Sequence, residues 1–337
     1  MHRKKIIAGM LLGFSLLTSS SGSFATAADP EIIDRFIEKM ADSHQFEQQP
    51  LRQLLQSAAI KDGILKAISS PAEALPWYKY RNIFLSDARA SEGAIFWQEN
   101  EQTLAAVERQ YGVPPAIIVA IIGVETRYGK HTGHHRVIDA LATLGFAYPK
   151  RSKFFLDELE NFLLLCREEQ MDPLQPTGSY AGAMGMPQFM PSSYRAYAVD
   201  FDGDGHRDIW NNPADVIASV GNYFQRHRWR KDQPVAYPVE TRGDAYKTVL
   251  RKGLKPDLTI GELKSLQVVT PATLADDLPA RLLQYSNEDA DEYWIGLHNF
   301  YVITRYNHSA MYAMAVFQLS QEIEKKKTLL DAQATKL

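Results

Sequence analysis

The chain has 337 residues, 45% of them hydrophobic and 11% aromatic, enough apolar sequence for one large or two to three smaller packed units. Its 37 Lys and Arg against 40 Asp and Glu give a formal charge of −3 and a pI near 6.3, which excludes the basic footprint of a nucleic-acid binder. The single cysteine, Cys166, excludes an internal disulfide, so core packing must carry the stability in an oxidising compartment.

Met1-His2-Arg3-Lys4-Lys5 is followed by an apolar run from Ile6 to Leu17, a Ser/Thr/Gly stretch and Ala25-Thr26-Ala27. That order reads as a secretory signal peptide over residues 1–27, cut after Ala27. The run falls short of the roughly 20 apolar residues that span hydrocarbon. Acylation as a lipoprotein needs a cysteine at the new N-terminus, and Cys166 lies far from it. The expected product is therefore a soluble periplasmic protein without a transmembrane segment.

Residues 28–110 carry apolar side chains at helical spacing (Ile32, Ile33, Phe36, Ile37, Met40, then Leu51, Leu54, Leu55 and Ile60), predicting a helical N-terminal region. A central region, 111–232, opens with Pro114 and Pro115 ahead of a strongly apolar helix from Ala116 to Tyr128. Proline in a first turn lacks only an N–H that would be unpaired anyway, and Gly129 and Gly133 are available to end the helix. A second helix runs from Ser152 to Gln170, and Cys166 falls in its apolar pattern, as a core thiol and not a nucleophile. Thr177 to Ser193 is a glycine-rich loop, and an aspartate-rich loop spans 200–215. Within it, Asn212-Pro213 reads as the cap and first-turn proline of a helix from Ala214 to His227. Over residues 233–292, Val235, Tyr237 and Val239 alternate, and Val268-Val269 and Arg281 to Tyr285 look extended, which predicts a small β-containing unit. In the closing segment, 293–337, Ser309 caps a last helix through Leu319, and Glu322 to Leu337 reads as a solvated helix end.

Chemistry enters at Glu125, which lies seven residues after Ile118, four after Ile121 and three after Ile122, on the apolar face of its helix. Desolvation there disfavours the carboxylate and raises its pKa, as a general acid requires. A helix-end ion pair with Arg127 or Lys130, or a side chain leaning out to solvent, fits the same spacing. Asp200, Asp202 and Asp204 stand two apart before Gly205 and predict an EF-hand-like Ca2+ loop, with the His206 carbonyl as a further ligand. Asn211 occupies loop position 12 in place of the usual glutamate, so Asp215 is the candidate to close the loop, unless it is only a first-turn carboxylate favoured by the helix dipole. His131, His134 and His135 read as a polar loop, because Gly133 interrupts any helix that would align them. No organic cofactor signature is present.

Ile122-Gly123-Val124-Glu125-Thr126-Arg127-Tyr128-Gly129 resembles the catalytic helix end of lytic murein transglycosylases of the B type. Gly178-Ser179-Tyr180-Ala181-Gly182-Ala183-Met184-Gly185, Pro187-Gln188-Phe189-Met190-Pro191-Ser192-Ser193, Asp200-Phe201-Asp202-Gly203-Asp204-Gly205 and Asn299-Phe300-Tyr301-Val302-Ile303-Thr304-Arg305-Tyr306-Asn307 follow in the family's order. The resemblance implies a mainly α (α+β) fold, with a lysozyme-like core, a flanking helical domain built from segments on both sides of it, and a small β domain. It implies Glu125 as acid and base, with Ser179, Gln188, Tyr223, Tyr306, Asn307 and Tyr312 lining the groove. Lys150 and Arg151 match a basic pair suited to peptide-stem carboxylates. On the residues alone, Gln188 could instead cap its loop, Tyr306 and Tyr312 could be core aromatics, and Lys150-Arg151 a solvated turn.

The activity implied is cleavage of the MurNAc-GlcNAc β-1,4 bond of peptidoglycan strands with 1,6-anhydromuramyl ends. Glycosidases ordinarily use two carboxylates, but here the muramic C6 hydroxyl and the N-acetyl group supply what the second one would. A hydrolytic muramidase and a non-catalytic, calcium-dependent cell-wall binding protein are the alternatives. Other cell-wall enzymes stay open as partners.

Overall fold

In a computed structural model the described residues are 29–69, 75–250 and 253–334, and the expected signal peptide lies outside them. The N-terminal region is helical as its periodicity predicts: α1 (Pro30–His44), α2 (Gln48–Ser57), α3 (Asp62–Ile68), α4 (Trp77–Phe84), α5 (Asp87–Glu99) and α6 (Glu101–Tyr111). The Asp29 side chain caps α1 by accepting the Glu31 N–H, with Pro30 in the first turn. Gly112, at φ 72°, ends α6 in the left-handed region that suits glycine.

Helix α7 (Pro115–Thr126) is the axis of the main core: eleven of its twelve residues are buried, and Glu125 is the exception. Around it stand β1 (His135–Arg136), α8 (Val137–Ala147), α9 (Ser152–Glu168), β2 (Thr177–Gly178), α10 (Pro191–Tyr197) and α11 (Pro213–Arg226). The Asn212 side chain accepts the Ala214 N–H, so the predicted cap of α11 is in place. Strands β1 and β2 form a small antiparallel pair. Cys166 is buried in α9, and burial pushes its thiol up to about 12, which leaves it a core group.

Strands β3 (Ala236–Thr241), β4 (Leu258–Thr259), β5 (Val268–Val269), β6 (Pro279–Ser286) and β7 (Asp291–Gly296), with α12 (Ile260–Ser265), make the β-containing unit. The sheet is antiparallel in the order β4-β6-β7-β3-β5, and β7 runs past the expected edge at 292 to Gly296. Alternation along β6 divides its side chains: Ala280 and Leu282 pack into the sheet's own core, whereas Leu283 and Tyr285 reach the main one.

Helices α13 (His298–Tyr306) and α14 (Ala310–Ala334) return the chain to α7, α5 and α4. The expected solvated helix end is helical and largely exposed as far as the described residues go, but one stripe of it is buried. Helix α14 continues to Ala334 and buries Ile323 and Lys327, because Leu319, Ile323 and Lys327 lie four apart on one face. Lys327 Nζ donates to Asp331 at 2.7 Å and to Glu101 at 3.1 Å, which pairs the buried charge. Among the described residues no single helix is long and apolar enough to cross a membrane.

Candidate active site

Because α7 is enclosed on every other side, Glu125 is where it meets the surface. Its carboxylate is held among protein atoms, and desolvation pushes its pKa up to about 7, partly opposed by the Tyr312 hydroxyl, which donates to Oε1 at 2.5 Å. Burial and this bond are the two influences on Glu125; among the described residues neither a cation nor a second carboxylate adds to them. Burial also holds the Tyr312 phenol well above its ordinary pKa, so it stays a donor.

The ion pair that spacing left open for Glu125 goes elsewhere. Arg127 makes a two-pronged bond to Glu92 of α5, at 2.7 and 2.8 Å, and Lys130 reaches the same carboxylate at 3.1 Å. Glu92, held down to about 2 by the Arg127 guanidinium, thus draws both cations away from Glu125. The helix ends sooner than Tyr128, because Arg127 and Tyr128 take φ of 51° and 59°, followed by Gly129 at 85°. Three successive left-handed residues need outside support, non-glycine ones most of all. Thr126 supplies part of it, donating to the Met186 carbonyl at 2.9 Å and accepting the Gly129 N–H at 3.1 Å.

The aromatic residues named from the sequence gather beside Glu125. The Tyr306 and Tyr312 rings lie 6.5 Å apart and 10° from parallel, and Tyr223 and Phe189 contact Tyr306 at 4.7 and 5.9 Å. Two hydroxyls are engaged by the backbone: Tyr306 donates to the Pro187 carbonyl at 2.5 Å and Tyr223 to the Arg305 carbonyl at 2.6 Å. Gln188 donates to the carbonyls of Thr132 and Gly185, leaving its own amide oxygen as an acceptor. Ser179 Oγ accepts from Ala181 and Ala183 N–H, leaving a proton to donate. Asn307 is exposed just beyond α13. Lys150 and Arg151 are exposed in a separate turn, with Arg151 over the Phe154 ring at 4.3 Å, and no bond or ring contact among the described residues joins them to Glu125.

Asp200, Asp202 and Asp204 each offer an oxygen, all within 4.8 Å of one another, and no salt bridge among the described residues engages them. Asp200 also accepts the Gly203 and Gly205 N–H groups, and His206 donates its N–H to Asp204. Asp215 is fully buried and accepts the N–H groups of Phe201 and Asp208 at 2.8 Å each, so it ties the two limbs of the loop together. Burial raises its pKa, and Asp202 and Asp200 add to the shift. Three converging carboxylates without a counter-charge fit a divalent cation. Asp208, at loop position 9, was not singled out from the sequence; its side chain accepts the N–H groups of Trp210 and Asn211.

A lone acid poised near neutrality at the end of an enclosed helix, in a mainly helical lysozyme-like fold, marks a glycan-cleaving enzyme. The chain belongs to the Transglycosylase SLT domain family, which matches residues 28–321, and it is a lytic transglycosylase of peptidoglycan. It is 44% identical over 312 residues to the membrane-bound lytic murein transglycosylase B of Escherichia coli (strain K12), covering 90% of this chain and 84% of that one. The soluble lytic transglycosylase SltB1 from Pseudomonas aeruginosa superposes with a TM-score of 0.85 at 50% identity, over 89% of this chain and 100% of that one. The Escherichia coli lytic transglycosylase Slt35 in complex with calcium gives 0.81 at 42% identity, over 90% and 96%. The non-catalytic alternative is thereby set aside.

Proposed function

We propose that Glu125 is the single acid and base of a reaction that cuts the MurNAc-GlcNAc β-1,4 bond and leaves a 1,6-anhydromuramyl end. The observation that carries this reading is the isolation of Glu125: a carboxyl group near pKa 7 whose one side-chain hydrogen-bond partner among the described residues is Tyr312. At neutral pH such a group is protonated often enough to donate and ionised often enough to accept.

In the cycle, Glu125 gives its proton to the glycosidic oxygen as the C1–O bond breaks, and the N-acetyl group of the muramic residue stabilises the positive charge. The C6 hydroxyl of the same sugar then bonds to C1, and its proton returns to Glu125. No water is consumed and the enzyme ends as it began. Because nucleophile and electrophile share one ring, orientation supplies much of the rate. Gln188 Oε1, the Ser179 hydroxyl and the exposed Asn307 amide are the groups left to orient the sugar. Tyr306 and Tyr223, with hydroxyls held by the backbone, form the wall behind Glu125.

The loop at Asp200, Asp202 and Asp204 is the proposed seat of a structural Ca2+, with the His206 carbonyl as a further ligand; that the Slt35 relative was solved in complex with calcium supports this reading. Bound there, the ion would offset most of the charge of the three carboxylates and stiffen the loop, while Asp215 holds the limbs from beneath. A peptidoglycan substrate supports the periplasmic destination expected from the signal peptide. Lys150 and Arg151 remain the proposed contact for peptide-stem carboxylates.

Mass spectrometry of soluble products from purified peptidoglycan tests the chemistry. Anhydro-muropeptides are expected; products heavier by one water, with reducing muramic ends, would convert the enzyme to a hydrolytic muramidase.

A further inference from the structure

A cleft of about 500 Å³ opens beside the turn that leaves Glu125's helix, within the roughly 300–1,000 Å³ typical of small-ligand sites. Gly129 and Thr132 form one wall, Met171, Asp172 and Gln175 to Thr177 another, and Trp210 with Asn211 a third. Thr132 belongs to both sites, since its carbonyl holds the Gln188 amide at 3.1 Å.

The chemistry of the lining selects among ligands. Trp210 is half-buried, its indole N–H donates to the Thr177 carbonyl at 2.9 Å, and one side packs near Tyr194, with ring centroids 6.0 Å apart. With its only donor engaged, the ring acts toward the cleft as an apolar platform. Around it stand acceptors: the Asp172 carboxylate, the Gln175 amide oxygen, whose NH2 is turned to Asp172 at 3.2 Å, and the Asn211 amide oxygen, whose NH2 is turned to Asp208 at 3.2 Å. The hydroxyls of Thr132 and Thr177 complete the polar rim. Among the described residues no Lys, Arg or His lines the cleft, so the lining offers nothing to the carboxylates of a peptide stem, and Asp172 would repel them.

We propose that this cleft is an outer saccharide subsite, in which Trp210 stacks against an N-acetylhexosamine of the glycan strand while Asp172, Gln175 and Asn211 accept its hydroxyl and acetamido protons. A pyranose has an apolar face of C–H groups and an equator of donors, and those are the two surfaces the cleft provides. The proposal rests on the glycan-strand reading above and extends it beyond the sugar at Glu125.

The test is calorimetric titration of the full chain carrying Glu125→Gln with chitotetraose, a neutral GlcNAc oligomer without a peptide stem. In that background Trp210→Ala should weaken binding about tenfold, as expected for loss of an aromatic anchor, and Trp210→Phe should weaken it less. Because Trp210 also packs on Tyr194, Gln175→Ala serves as the second variant: its side chain is exposed, and it should weaken binding by about threefold without moving the melting temperature. Absence of chitotetraose binding, equal affinity in all variants, or displacement of chitotetraose by free stem peptide would each overturn the proposal. Failure to release anhydro ends would refute the Glu125 chemistry and leave the titration to decide the cleft.

Discussion

Tyr128 folds its phenol back over Gly123, so that a Cβ added at Gly123 would stand 2.6 Å from the hydroxyl oxygen; Gly93 of α5 faces the same oxygen from the other side. The phenol donates to the Arg89 carbonyl at 2.9 Å, and Arg89 returns a guanidinium N–H to the Gly123 carbonyl at 3.1 Å. The left-handed turn after Glu125 is therefore keyed between two helices.

Gly123→Ala should reverse the usual sign of that substitution. In an open helix interior alanine stabilises by about 1 kcal/mol over glycine, but here the methyl must displace Tyr128, and overpacking costs about 1–3 kcal/mol. A fall in Tm, accompanied by a fall in kcat as the Glu125 turn shifts, is expected in thermal melts and product assays. A raised Tm would show that the slot has room.

Tyr312→Phe separates the hydrogen bond from the packing. The Tyr312 bond favours the ionised form of Glu125, so removing it should raise the carboxyl's pKa further. With about 1.5 kcal/mol for a bond to a charged group and about 1.4 kcal/mol for each pKa unit, the basic limb of the pH–rate profile should climb by about one unit. A limb that stays put, or moves toward acid, would mean that the phenol does not act on the proton.

Glu125→Gln should abolish release of anhydro-muropeptides, since loss of acid-base assistance alone removes roughly 100- to 10,000-fold. Its effect on stability depends on pH. The folded carboxyl titrates at about 7 against a reference of 4.5, so the fold favours the neutral form. The associated stability is fully present below about pH 4.5 and is lost as pH rises through about 7, reaching about 3 kcal/mol at most. Glutamine carries no such dependence. The variant's Tm should match the parent's near pH 4.5 and exceed it by pH 8; a constant difference across that range would argue against a desolvated acid.

Calcium should raise the Tm of chelated protein, by about 2.7 kcal/mol of stability at a hundred times Kd. Asp200→Ala should remove the shift, but Asp200 also anchors two loop amides, so Asp204→Asn, which keeps the volume, is the cleaner comparison. If differential scanning calorimetry finds the same Tm with chelator and with saturating calcium, the loop holds no calcium.

Helices whose signals are local could be read directly from the sequence. The Asn212 cap of α11, the span of α9 and the alternation at Tyr237 and Val239 all depend on near neighbours in the chain. Glu125 stood out by its apolar spacing, but α7 is buried on nearly every side, so the spacing had no single face to select. What sets Glu125 apart is non-local: Tyr312 from α14 reaches it, and Glu92 from α5 removes Arg127 and Lys130 from competition. The same holds for the buried end of α14. Leu319 and Ile323 continue a visible stripe, but Lys327 extends it because its charge is paired by Asp331 four residues on and by Glu101 from the opposite helix.

Glu125 and its Tyr312 partner are separated by 187 positions in the chain, and α14, which carries Tyr312, is the last helix among the described residues. As the polypeptide is made from its N-terminus, Glu125 emerges long before the phenol that bonds it. The proposed site is therefore completed only after Tyr312 has followed Glu125 by 187 positions. Order of synthesis would then delay activity: a chain truncated before α14 would carry Glu125 without the phenol that holds it.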